Sequence, residues 1–485
     1  EALATYCDSP QIRRMVESDL DRHALAAKAE RMADAEWLRA QTAPLPGMAI
    51  PAADLVPVPL GIGRPRTATV LVYVALVLRG FYGSVSDADA VDRMLESTTL
   101  TVLCENLHVR LPDRTTLLRH LNAISNETRD SIIDIQIQRV RTEGLDEFSK
   151  AIIDSTAVEA NTRWPTDSAL ILGNLSRAYR LCLHLPEVFD LPHIDVRWCE
   201  VRLERMHRHD FRINTASGKG RVRKRQKAYR QFYGLAEKML AHLQDQFGTV
   251  LEPAVRGLDV RPSLRASVQR VCASISASLA DAARILDYSR NRVLHDISVP
   301  TGEKILSLAD GDVAFIQKGG RDPVIGYKPQ IARSGGGFIA ALTVSPGNTA
   351  DASALTPLIA EFIRRTNTVP TTVSTDDGYT SSANRIALKD LGVEAISFSG
   401  AKGRHLTPDG EWDSEVLTDA RRERSAVEST IFVLKHDYLF GRMRRRGIEG
   451  VRAEMLEKVM AFNFERMILV RRLKAEDAAK AARAA

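Results

Sequence analysis

The stretch RRERSAVESTIFVLKHD, Arg421 to Asp437, reads as a helix in which Arg424, Glu428 and Lys435 fall at i, i+4 and i+11 and share one stripe. Val427, Ile431 and Leu434 mark an apolar stripe beside it. A carboxylate between two cations has a plain reading, an i,i+4 ion pair on a solvated face worth about 0.2–0.5 kcal/mol. It also has a chemical one, which needs further acids. SKAIIDSTAV (149–158) is a buried-strand pattern ending around Asp154, and TTVSTDDGY (371–379) is a strand ending in Asp376 and Asp377. Carboxylates at the ends of adjacent strands, faced by a third from a packed helix, converge on a point and repel one another unless cations sit among them. Hard oxygen ligands select Mg²⁺ or Mn²⁺. Two such ions about 3.5–4 Å apart activate a water or a 3′-hydroxyl and stabilise the leaving oxygen in phosphodiester chemistry. Taken singly, each acid has an ordinary use: Asp154 at a strand end, Asp376 as a turn former in TDDGY.

The elements around these acids decide whether they can meet. Residues 1–60 combine an Ala/Arg/Glu-rich helical stretch (about 10–40) with a Pro-rich connector, QTAPLPGMAIPAADLVPVPLG, whose prolines break a helix. This is an arm and a linker. From 61 to 145 the pattern is short helices: TATVLVYVALVLRGFYG, SDADAVDRMLES, and DRTTLLRHLNAISNETRDSIIDIQIQRVR. The last opens on Asp113-Arg114-Thr115-Thr116 with Arg119 and His120 exposed, which suits either a helix-turn-helix or a plain helical bundle. After the Asp154 strand, NTRWPTDSAL is a loop entering a long helical region, about 168–298. Strands return at 312–318, 324–332 and 335–348. A helix at 350–365 with Asp351 as N-cap, the Asp376 strand, a strand at 393–398 and the Glu428 helix complete the order. The expectation is a catalytic domain over 146–466 with a helical insertion. The Ala/Lys/Arg tail, 467–485, reads as a fraying helix or disorder.

Composition narrows the class. A chain of 485 residues exceeds the size at which one core keeps growing, so two or three domains are expected. The balance of 44% hydrophobic and 26% charged residues is that of a soluble globular protein. No apolar run reaches the roughly 20 residues that span a bilayer; the nearest, 69–83, is interrupted by Arg79. No secretory signal pattern opens the sequence, whose first residue is Glu1 rather than Met. Five scattered cysteines without CxxC spacing suit a reducing cytosol and argue against a disulfide framework or a structural zinc site.

A net charge of +6 points only weakly to an anionic partner, and its distribution says more. The run 201–233 interleaves Arg221, Arg223, Lys224, Arg225, Lys227 and Arg230 with Phe211, Tyr229, Phe232 and Tyr233. A solvated face is the default for such a run, and contact with the phosphates of a nucleic-acid backbone is the alternative. Arg442, Arg444, Arg445 and Arg446 form a second basic patch. Glu159 and Asn161 read as positioning residues, and Asn348 and Asp351 as turn and cap.

From about 60 to 465 the chain resembles the DDE transposases of bacterial insertion sequences, most closely the ISNCY-type group. The stretches that carry the resemblance are GRPRTATVLVYVALVLRGFYG, PDRTTLLRHLNAI, DSTAVEANTRWPTDSAL, GYKPQIA, TVSPGNTADASALTPLI, STDDGYTSSAN and RSAVESTIFVLKHDYLFGRMRRRGIEG. It implies a ribonuclease-H-like α/β fold, a mixed sheet with flanking helices and a large helical insertion, behind an α-helical N-terminal DNA-binding domain. It implies Asp154, Asp376 and Glu428 as catalytic metal ligands for two Mg²⁺ ions, Mn²⁺ serving as well, with Asp377 as the reserve for Asp376.

Arg424 and Lys435 then hold phosphate or steady Glu428, and Arg119, Arg221, Arg223, Lys224, Arg225, Arg444 and Arg445 contact DNA. The implied activity is metal-dependent cleavage of element ends and transfer of their 3′-hydroxyls to target DNA. The implied partners are double-stranded DNA, both terminal inverted repeats and target, and a second copy of the chain, with no membrane. The implied place is the bacterial cytoplasm, at the nucleoid. Related families carry a Tyr three residues before the Arg of this motif, where Arg421 stands here, which argues against a hairpin-forming variant. A decayed or domesticated transposase that only binds DNA, and a metal-dependent nuclease without strand transfer, would share these residues.

Overall fold

The computed structural model describes residues 1–41, 67–82, 87–317, 319–320 and 322–484. Beyond Gln41 the expected Pro-rich connector lies outside the described residues. The chain divides into two compact units, one containing residues 1–23, 64–161 and 312–485, the other 24–63 and 162–311.

Among the described residues the first unit has eight strands: β1 Lys150–Ser155, β2 Val158–Glu159, β3 Ala314–Ile316, β4 Val324–Tyr327, β5 Gln330–Ser334, β6 Ile339–Thr343, β7 Thr372–Thr375 and β8 Ala395–Phe398. Five of them form a mixed sheet in the order β6-β5-β1-β7-β8. β5 pairs antiparallel with β6 and with β1, whereas β1–β7 and β7–β8 are parallel. Ala151, Ile152 and Ile153 are all buried, the unbroken apolar run of a strand covered on both faces. Parallel neighbours need crossovers. Helix Asp351–Thr366 leads into β7, and helix Ser382–Asp390 joins β7 to β8.

The stretch expected as one strand, 324–332, is two strands in different sheets, because Pro329 has no N–H to give a ladder. Its carbonyl accepts from Thr156 N–H at 3.2 Å instead. β4 joins β2 and β3 in a small second sheet.

The N-terminal part of this unit is helical, with helices at Thr69–Tyr82, Asp87–Leu95, Thr98–Asn106, Arg114–Ala123 and Asn126–Thr142. The segment 113–141, expected as one helix, breaks at Ser125, whose hydroxyl accepts from Thr128 N–H at 3.2 Å and starts a new helix. His120 is half-buried rather than exposed. Helix Thr69–Tyr82 is buried along most of its length and packs on the C-terminal helix, Gly447–Ala484. A Cβ on Gly80 would lie 2.2 Å from the Glu457 carbonyl oxygen, so only glycine permits this approach. Among the described residues no single helix is long and apolar enough to cross a membrane. The tail expected to fray continues the C-terminal helix to Ala484.

The second unit packs helices Asp167–Phe189, Val196–Thr215, Arg221–Asp245 and Pro262–Leu294 around one apolar core. The later part of helix Pro10–Gln41 belongs to it, with Trp37 Nε1 donating to Asp259 at 3.0 Å and Asp34 accepting from Ser263 N–H at 2.9 Å. Tyr229, Phe232 and Tyr233, expected between the cations of the basic run, are core residues. Helical periodicity turns the apolar positions inward and leaves Arg221, Arg223, Lys224 and Arg225 exposed. Of the four aromatics only Phe211, 68% exposed, remains at the surface.

Candidate active site

The parallel register of β1 and β7 pairs Lys150 with Thr372, Ala151 with Val373 and Ile152 with Ser374. The same offset carries Asp154, near the end of β1, alongside Asp376, just past the end of β7. Both acids are half-buried. Asp154 Oδ1 accepts from Ser155 N–H at 2.7 Å, and Asp376 Oδ1 accepts from Gly378 N–H at 3.0 Å. Each carboxylate is thus oriented by its own backbone. Asp377 is used differently: it accepts from Gly403 N–H at 2.9 Å and Lys402 N–H at 3.3 Å, at the start of helix Ala401–Leu406. That helix end gains a negative partner, so the two adjacent acids have separate tasks.

A residue read from the sequence as a cap stands beside them. Asp351 is the first residue of its helix, with Ala350 at the cap position and no side-chain cap bond. Its carboxylate turns instead to Lys328 Nζ at 2.8 Å and Gln330 Nε2 at 3.0 Å. Burial works to raise the Asp351 pKa, but the bonds from Lys328 and Gln330 and the Lys328 charge outweigh it and hold the carboxyl below its usual range. The Gln330 amide oxygen accepts from the buried Tyr379 hydroxyl. Burial, and then the charges of Asp351, Asp154 and Asp376, push that hydroxyl well above the ordinary phenol range. The three aspartates therefore share one neighbourhood. No sequence signal marked Asp351 apart from its place in PGNTAD, because a helix-start acid looks the same whether it caps or reaches inward.

The third acid lies on a separate element. The stretch 421–437 is two helices, Glu415–Glu423 and Ser425–Asp437, broken at Arg424. The first packs on β7 and β8 and the second on β1, so the chain must turn between them. Val427, Ile431 and Leu434 are buried as their stripe requires. Glu428 falls in the first turn, where the helix dipole favours a carboxylate. It is 53% exposed and pairs with Arg424 at 2.7 Å. Lys435 Nζ donates to the Ala157 carbonyl at 3.0 Å, which ties its helix to the chain just past β1.

Glu159 pairs through its backbone with Gly441 and Met443 and lies 3.9 Å from Arg442, and Asn161 Nδ2 donates to the Arg444 carbonyl at 2.7 Å. Arg444 is half-buried. Arg445, expected on a basic surface patch, turns inward to Glu457 at 3.0 Å and Asp87 at 3.2 Å, because two acids there draw its guanidinium out of solvent. Arg119 is exposed on helix Arg114–Ala123. The structure thus brings Asp154 and Asp376 together with Asp351, and leaves Glu428 on the helix flanking β1, held by Arg424.

The strand-end donors are carboxylate oxygens, the type that Mg²⁺ and Mn²⁺ prefer. Among the described residues no three His, Cys, Asp or Glu side chains are gathered closely enough to hold a metal ion as they stand. No curated protein and no solved structure matches the chain. One family model does match, that of the transposase DDE domain, to which residues 302–464 are similar, a span that includes Asp351, Asp376 and Glu428 while Asp154 precedes it.

Proposed function

We propose that the protein is a DNA transposase that cleaves the ends of an insertion sequence and joins the freed 3′-hydroxyls to target DNA. The observation that carries this reading is the parallel register of β1 and β7, which sets Asp154 beside Asp376, a residue within the span matched by the DDE family model. The sheet order β6-β5-β1-β7-β8, with three parallel central and edge strands and an antiparallel pair beyond them, supports a ribonuclease-H-like fold. Within the helical second unit, residues 162–311 are the insertion that follows β1 and β2, and the helices from 69 to 142 are the DNA-binding region.

Asp154, Asp376 and Glu428 would hold two Mg²⁺ or Mn²⁺ ions, which when bound supply activation of the attacking oxygen and stabilisation of the leaving one. Arg424 neutralises Glu428 and then phosphate, and Lys435, anchored at Ala157, positions the strand near Asp154. Pairing two element ends calls for a dimer or larger assembly on DNA, and the compartment proposed is the bacterial cytoplasm. The deciding experiment incubates the protein with end-containing DNA and Mg²⁺ and maps nicks and joints. Nicks at the ends followed by joints support the reading; nicks alone leave a nuclease, and binding alone a DNA-binding protein.

Two further outcomes follow from exposed and half-buried cations. Neutralising Arg221, Arg223, Lys224 and Arg225 together weakens DNA binding and flattens its salt dependence, each lost phosphate contact lowering the slope of log K against log salt by about 0.9. An unchanged slope returns the run to a solvated face. Lys435→Ala costs at most about 1.5 kcal/mol, the scale of one hydrogen bond. Its single-turnover cleavage falls about a hundredfold, because a reacting strand misplaced by about 1 Å loses that much. Wild-type cleavage in this variant would confine Lys435 to anchoring its helix.

A further inference from the structure

Asp351 is committed to more partners than a first-turn acid needs. Its side chain is 13% exposed and that of Lys328 10%, so their 2.8 Å ion pair is largely shielded from water. Lys328 Nζ also donates to the Thr349 carbonyl at 3.2 Å. Gln330 and the Ser155 side chain complete the carboxylate's hydrogen bonds.

Its partners all adjoin the two strand-end acids. Ser155 follows Asp154 and gives it a backbone N–H, and Gln330 is the cross-strand partner of Ser155 in the β1–β5 ladder. Gln330 also receives the hydroxyl of Tyr379, which sits three residues beyond Asp376 and whose N–H reaches the Asp376 carbonyl at 3.4 Å. Between them lies Gly378, where a Cβ would be 3.1 Å from both Asp351 Oδ2 and Asp376 Oδ1. One carboxylate therefore braces the end of β1 and the turn after β7 at once. Lys328 supplies the positive charge that lets a third acid stand there.

We propose that Asp351 is a positioning residue that acts through Ser155, Gln330 and Tyr379 to hold Asp154 and Asp376 at the spacing from which both reach a divalent cation. This rests on the transposase reading. Partners of this kind fix the orientation of metal-binding carboxylates, and their loss commonly costs about 10–100-fold in metal affinity or activity.

The test uses the full chain as wild type, Asp351→Asn and Tyr379→Phe. It measures Mn²⁺ affinity by electron paramagnetic resonance without DNA, the Mg²⁺ concentration at half-maximal nicking of end-containing DNA, and the unfolding midpoint. Expected is Mn²⁺ binding weakened about tenfold or more in Asp351→Asn and less in Tyr379→Phe, with a matching rise in the Mg²⁺ requirement. Raised Mg²⁺ should restore nicking in both, which a merely unstable variant would not show. Should Asp351→Asn fail to fold, Tyr379→Phe, which deletes one hydroxyl and keeps the ring, decides alone. Folded variants with Mn²⁺ affinity and Mg²⁺ requirement within about twofold of wild type overturn the proposal and leave the transposase reading standing. A wild type that neither binds Mn²⁺ nor nicks overturns both.

Discussion

Asp154→Asn, Asp376→Asn and Glu428→Gln should each lower cleavage of end-containing DNA by about a hundred- to a thousandfold, the scale of removing one preorganised electrostatic group from a catalytic centre. DNA binding should be nearly unchanged in all three, because the exposed cations of helix Arg221–Asp245 are untouched. Gel-shift titration and single-turnover nicking, run on the same preparations, separate the two effects. Asp377→Asn is the internal control. Its carboxylate accepts the first N–H groups of helix Ala401–Leu406, so the substitution should lower the unfolding midpoint and spare cleavage. An active Asp376→Asn beside a dead Asp377→Asn would exchange their roles. Glu428→Gln is the most informative of the set, since Glu428 is paired with Arg424 in the structure and must serve the chemistry from that position or leave it. Cleavage retained in Glu428→Gln would leave the pair as an ordinary i,i+4 contact.

The largest stability effect should come from Glu457. Its side chain is 2% exposed and takes Arg79 at 2.6 Å, Arg129 at 2.8 Å and Arg445 at 3.0 Å. Burial works to raise its pKa, and the three guanidiniums outweigh this and hold it far below the usual carboxylate range. Burial lowers the Arg79 pKa to about 10, so the arginine stays charged at neutral pH. Glu457→Gln leaves three guanidiniums with Asp87 as the remaining anion on Arg445 alone, at a cost of about 3–5 kcal/mol. For a unit of this size that corresponds to a fall in Tm on the order of 10 °C.

The depressed pKa also sets the pH dependence. Glu457 is more acidic folded than unfolded, so its contribution is complete above the ordinary value of 4.5 and is lost as pH falls below it toward the folded pKa. Wild type should therefore lose stability through that acid range more steeply than Glu457→Gln, as thermal melts at pH 7 and at pH values below about 4 would show. Equal acid sensitivity in the two proteins would mean that the arginines are balanced without Glu457.

Much of the local structure was legible because it depends on neighbours in sequence. The apolar run of β1, the buried stripe Val427, Ile431 and Leu434, and the Asp113 cap, whose carboxylate accepts from Thr116 N–H at 2.9 Å, each follow from period or capping chemistry within a few residues. Contacts between distant residues were not legible in that way. Periodicity says that a face is buried and not what buries it, so Arg79 read as an interruption in an apolar run when it is the inward partner of Glu457, 378 residues away. Tyr229, Phe232 and Tyr233 read as partners of the basic run for the same reason, and Arg445 as part of a surface patch.

Asp351 shows the limit most clearly. A carboxylate at a helix start suits its own backbone as well as it suits Lys328, and only the β1–β5 ladder, which sets Gln330 opposite Ser155, makes the second choice available. By itself the sequence determined which residues could be acids, cations, strands and helices. The tertiary structure decided which of them meet, because the pairing of β1 with β7 joins residues 222 positions apart, beyond the reach of local period and capping chemistry.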